Sequence, residues 1–219
     1  MIDFIFNLSW LSPVLLFFGV ILGLTKLSKL KNEDQLIVLF FLTALFVDLL
    51  SRYYGYISDN KNNLFFLQIN SLFELSFFSV LLNKHLVKLN RQWIAYLLFG
   101  VIASVQIYQI TFTDTSTLYS FELYGKFLTG LYIITLCFIY FINLIKKDEI
   151  SEVNSNLNLI IVISIWALVD LFISLIVNYL INGQLNYIIY FWILRMFAYL
   201  MLYSHFIFKI WKTGRVKRL

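Results

Sequence analysis

LNLIIVISIWALVDLFISLI, residues 157–176, is the stretch that decides the fold. Twenty residues at 1.5 Å each make a helix about 30 Å long, which matches the hydrocarbon core of a bilayer. The stretch contains one ionisable side chain, Asp170. Trp166, Asp170 and Ser174, with Asn178 beyond, recur every fourth residue. That period sets them on a single helix face. Lipid cannot solvate such a stripe, so it must face protein or a water-filled cavity. A spanning helix with one polar face therefore implies a bundle.

Six more segments are long and apolar enough to span. The seven are expected at roughly 8–27, 35–57, 64–84, 92–112, 118–144, 157–181 and 186–210. Short polar breaks separate them, such as Lys29-Leu30-Lys31-Asn32-Glu33-Asp34 and Asn182-Gly183-Gln184. No break is long enough for a folded domain, so residues 1–219 are expected to form one all-α, seven-helix membrane domain. Composition agrees: 61% hydrophobic, 13% charged and a mean hydropathy of +0.82 exclude an ordinary soluble domain. The single cysteine, Cys137, excludes an internal disulfide and a cysteine-based metal site. The opening residues, Met1 to Asn7, lack the positive charge and cleavage site of a signal peptide, so the first segment is expected to stay as a helix.

Lysine and arginine fix an expected orientation. Lys26, Lys29, Lys31, Lys84, Lys88, Arg91, Lys146, Lys147, Lys209, Lys212, Arg215, Lys217 and Arg218 all fall on one side of the alternating spans. The other side has only Lys61. Thirteen against one places the N-terminus outside and the C-terminus in the cytoplasm. The same clustering between apolar spans accounts for the net charge of +5 without nucleic acid as a partner.

Seven ionisable residues lie inside the spans: Asp48, Arg52, Glu74, Glu122, Lys126, Asp170 and Arg195. An Asp, Lys or Arg at a helix centre costs about 2.5–3.5 kcal/mol, so seven unpaired charges would cost roughly 20 kcal/mol. Counting along the spans puts all seven between the midplane and the outer surface. Asp48/Arg52 and Glu122/Lys126 are spaced four apart and could neutralise each other within their helices. Asn70/Glu74 repeats the step. Glu74, Asp170 and Arg195 have no charged partner on their own helix and must meet across helices or bind something. Four acids against three bases leaves one carboxylate in surplus. Glu74, Asp170, Arg195, Asn70, Asp48, Arg52, Glu122 and Lys126 are thus the expected interior cluster and candidate ligand site.

Some chemistries find no support. The two histidines, His85 and His205, are too few for a zinc hydrolase site. No nucleophile elbow, zincin motif or phosphate-binding glycine loop is present. No catalytic residue, metal or cofactor is assigned. Pro13 is the only proline; Gly19/Gly23 and Gly125/Gly130 are the points of possible flexibility, the first pair reading as a helix-packing GxxxG. A weak echo links Phe46-Val47-Asp48-Leu49 to Leu168-Val169-Asp170-Leu171, as two three-helix units joined by the fourth span would produce.

Asn70-Ser71-Leu72-Phe73-Glu74-Leu75 and Trp192-Ile193-Leu194-Arg195 resemble a broad group of uncharacterised seven-helix proteins of this length, frequent in Bacteroidota. Such relatives often carry His where this chain has Arg195. The resemblance spans most of the chain and implies a membrane fold with no assigned activity; the expected location is the bacterial inner (cytoplasmic) membrane. The leading expectation is a non-catalytic receptor or partner subunit binding a small polar or amphipathic ligand from outside, and signalling through a cytoplasmic or membrane partner. The alternatives are a small transporter of 3+1+3 helices and, behind it, an intramembrane lipid-modifying enzyme. The basic tail could also hold anionic lipid of the bilayer.

Overall fold

The computed structural model describes residues 8–57, 63, 65–86, 92–112, 124–145, 150–183 and 188–216. Among them there are seven long helices and no strand: α1 (Leu11–Lys26), α2 (Asn32–Ile57), α3 (Phe65–Leu86), α4 (Gln92–Phe112), α5 (Tyr124–Ile145), α6 (Ile150–Gly183) and α7 (Ile188–Val216). A short 3-10 turn, Leu27–Lys29, links α1 to α2. All seven are long and apolar enough to cross a membrane, and the window Leu157–Ile176 has the highest mean hydropathy, 2.7. The protein is therefore read as a multi-pass membrane protein.

Three helices run three or more residues further than expected at one end. α2 starts at Asn32 rather than near 35, α6 at Ile150 rather than 157, and α7 continues to Val216 rather than 210. The added turns are polar or charged. Hydropathy marks only the apolar part of a helix, and nothing in those turns breaks one. The expected start of the fifth span, 118–123, lies outside the described residues.

Packing is that of a membrane bundle turned outward. Phe17, Phe18, Phe46, Phe138, Phe172 and Phe208 are each more than half exposed, which suits contact with lipid. The buried interior mixes aromatics with polar groups. α1, α2, α3, α5, α6 and α7 follow one another around a closed ring, and α4 packs outside it against α3 and α5.

Small residues set the closest approaches. A Cβ on Gly19 would sit 2.7 Å from the Phe41 ring, and one on Gly23 would overlap the Val38 side chain. The GxxxG of α1 thus seats it on α2. Gly125 serves α4 in the same way. Gln106 Nε2 donates to Ser71 Oγ (2.7 Å) and Thr129 Oγ1 (2.5 Å), and the Gly125 backbone N–H donates to Gln109 Oε1 (2.7 Å). A side chain at position 125 would strike Gln106 Cγ at 2.6 Å. The glycines suspected of flexibility are packing sites.

Candidate functional site

The charged cluster is assembled from four helices. Their apolar lengths fix them across the bundle, and their polar stripes turn inward because no other direction offers partners. Glu74 on α3 accepts from Lys126 Nζ on α5 at 3.0 Å. Lys126 also reaches Asp170 Oδ2 on α6 at 2.9 Å. Asp170 Oδ1 accepts from Arg195 Nε on α7 at 2.8 Å. Tyr199, one turn after Arg195, closes the circuit: its hydroxyl donates to Glu74 Oε1 (2.5 Å) and accepts from Arg195 Nη2 (3.3 Å). Asn70 Nδ2 adds a bond to Glu74 Oε1 (2.5 Å). All four charged side chains are buried, and two acids meet two bases.

Glu74, Asp170 and Arg195, expected to meet across helices, do so. Lys126 joins them. Its ammonium bridges the two acids of neighbouring helices, partners that its four-residue spacing from Glu122 did not indicate. Glu122 itself lies outside the described residues. Asp48 and Arg52 pair along α2 at 3.1 Å, as their spacing suggested. Trp166, Asp170 and Ser174 are buried on the inward face of α6; the side chain of Asn178 lies outside the described residues.

Beside this circuit lies a cavity of about 280 Å³ between α1, α2, α3 and α7. Its α1 and α2 walls carry Ser9, Ser12, Ala44, Asp48 and Arg52, and its α3 and α7 walls carry Asn70, Trp192, Arg195, Tyr199 and Tyr203. Arg52 is held in place by Asp48, by the Ser9 hydroxyl (3.2 Å) and by the Ser9 carbonyl (2.8 Å), and it stacks 4.8 Å from the centre of Trp10. Arg195 lies 5.0 Å from the centre of the Trp192 ring. Asn70, Arg195 and Tyr199 belong to both structures: they are the circuit's face on the cavity. Glu74, Lys126 and Asp170 stand behind them.

Below the cavity the interior closes with aromatic rings. Tyr203 meets Phe41 edge to face at 6.2 Å, Phe40 stacks on Phe77 at 4.3 Å, and Phe206 packs edgewise on Phe40 at 5.9 Å. Trp166 stacks on Phe78 at 4.8 Å.

Sequence reasoning passed over Ser12 and Tyr203 as wall residues and Tyr199 as the bridging hydroxyl. The signal was available, since Tyr199 and Tyr203 continue the four-residue step from Arg195. No group of three or more His, Cys, Asp or Glu side chains placed to hold a metal occurs among the described residues. The arrangement can orient a small molecule by fixed charges, hydroxyls and aromatic faces. Compared with known protein families, curated proteins and solved structures, the chain matches none.

Proposed function

We propose that this protein is a non-catalytic membrane receptor or partner subunit that binds a small polar or amphipathic solute in the cavity beside Arg195. The observation that carries this reading is the cavity itself. Its polar groups are immobilised before any ligand arrives: Arg52 by Asp48 and Ser9, Arg195 by Asp170 and Tyr199. Pre-ordered groups spare a ligand the entropy of ordering them. The wall combines apolar surface with a few placed polar groups, the usual make-up of small-molecule sites. By the distribution of basic loops the cavity opens outward, in the inner membrane of a bacterium. A cytoplasmic or membrane partner would carry the signal.

A small carrier is the second reading, and the ring order favours it. Exchanging α1, α2, α3 with α5, α6, α7 leaves every neighbour in the ring unchanged, as two like-oriented triplets joined by α4 would require.

The test is thermal unfolding of the detergent-purified protein against a panel of amino acids, monosaccharides and short-chain fatty acids. A binder at one hundred times its Kd should add about 2.7 kcal/mol. Arg52→Gln should abolish that gain. A panel member that stabilises parent and Arg52→Gln equally would remove the cavity from the proposal. Uptake of the binder into proteoliposomes would favour the carrier over the receptor.

A further inference from the structure

The polar bonds divide the bundle into two bodies. Helices α3, α5, α6 and α7 are joined by the Glu74–Lys126–Asp170–Arg195–Tyr199 circuit, whose contacts are short and hydrogen-bonded. Helices α1 and α2 are joined to each other. Gly19 and Gly23 bring them into close contact, and Arg52 holds Ser9 just before α1. The cavity lies along the seam between these bodies, with Ser12, Ala44 and Asp48 on one side and Asn70, Arg195 and Tyr203 on the other.

The far end of the same seam is fastened differently. Lys26, the last residue of α1, donates to the Trp211 carbonyl of α7 at 3.2 Å. Asp34, in the first turn of α2, faces Lys209 Nζ of α7 at 3.6 Å. Asp34 is buried, yet neither its Oδ1 nor Lys209 Nζ has a hydrogen-bond partner. A buried ion pair without hydrogen bonds still attracts, and so holds the seam shut, but less firmly than a hydrogen-bonded pair. The contrast with the circuit is direct: tight bonds inside one body, a loose pair across the seam. From Arg195 to Lys209 is fourteen residues, about 21 Å along α7. The space between is filled by aromatic side chains such as Phe40, Phe41 and Phe206, whose contacts are non-directional and can re-form after a small slide.

We propose that the α1–α2 hairpin rocks as one piece against the α3/α5/α6/α7 body. In one position the cavity opens on the face where α1 begins and the Asp34–Lys209 clasp is shut. In the other the clasp parts and the cavity opens on the opposite face. Such rigid-body hinge or shear motion is a common way to alternate access. The inference rests on the cavity being a binding site and extends it from holding a solute to passing it across the membrane.

The test needs no ligand. In a protein whose sole cysteine is Ala44→Cys (with Cys137→Ala), sealed vesicles are labelled from each face with a charged, membrane-impermeant thiol reagent. With the clasp intact, labelling is expected from the α1-start face alone. Asp34→Asn or Lys209→Gln should raise labelling from the opposite face about tenfold or more, which corresponds to a bias of 1.4 kcal/mol between the two positions. Unchanged opposite-face labelling in both variants, with labelling from the first face retained, overturns the rocking hairpin and leaves the cavity standing. Absence of labelling from either face with the clasp intact overturns the cavity reading itself. If those variants do not fold, Lys26→Gln should raise opposite-face labelling, and the exchange Asp34→Lys with Lys209→Asp should keep it at the parent's level; failure of either overturns the inference.

Discussion

Replacing Lys126 with methionine tests whether the charge circuit holds the bundle together. The side chain becomes one atom shorter, stays unbranched and loses its charge. Lys126 Nζ is the only base bonded to Glu74 in the circuit, at 3.0 Å, and it also serves Asp170 at 2.9 Å. Without it, two buried carboxylates share one guanidinium, and Glu74 keeps only its bonds from Asn70 and Tyr199. Removing one partner of a buried pair costs about 3–5 kcal/mol, because the remaining charge stays buried. For a chain of this size that is a fall in Tm of about 6–20 °C, at about 2–4 °C per kcal/mol. Glu74→Gln in the same protein removes the surplus charge and leaves a carbonyl to accept from Tyr199 and Asn70. The double variant should recover about 1–3 kcal/mol relative to additivity, the usual coupling of contacting residues. Cys137 provides the assay: it is the sole thiol and is buried, so a thiol-reactive dye reports unfolding in detergent. A Lys126→Met Tm within about 2 °C of the parent, less than a single kcal/mol on that scale, would refute the reasoning. So would a double variant whose loss equals the sum of the single losses.

Gly19→Ala should destabilise by about 1–3 kcal/mol through overpacking, since its Cβ would meet the buried Phe41 ring at 2.7 Å; Gly100→Ala, with open space around it, should not. The same dye assay compares them, and Phe41→Leu should rescue the first. Gln106→Leu should loosen α4 by about 1 kcal/mol, within the range of interhelical hydrogen bonds in membranes, because Gln106 binds Ser71 and Thr129; a Tm equal to the parent's would discount those bonds. Trp166→Phe should cost about 1–2 kcal/mol and Trp166→Ala about 3–5 kcal/mol. Its indole N–H has no hydrogen-bond partner, so stacking on Phe78 and packing are what the residue contributes, and a large loss from the Phe variant would contradict that.

Helix number and helix polarity were legible because one physical constraint governs both. Backbone groups in lipid must bond internally, and apolar length then marks each span. Residues 157–176 show this most simply: the polar stripe at 166, 170 and 174 is the buried face of α6. Asp34 was illegible for the opposite reason. It stands in a run of polar residues that reads as a loop, and only the folded chain brings it to Lys209. The same holds for the seam. Gly19 and Gly23 announce close packing without naming Phe41 and Val38 as what they pack on.

Lys126 shows where local spacing stops being a guide. An acid and a base four apart on an exposed helix gain about 0.2–0.5 kcal/mol. An unpaired charge in the interior costs several times that. Inside the bundle a base is drawn to acids that have no other way to be neutralised. Glu74 and Asp170 together need two bases, and Arg195 supplies only one. The six described intramembrane charges then balance, Asp48 with Arg52 and Glu74 and Asp170 with Lys126 and Arg195. Lys126 was thus the residue whose partners composition could have named, had the acids been asked which base each one lacked.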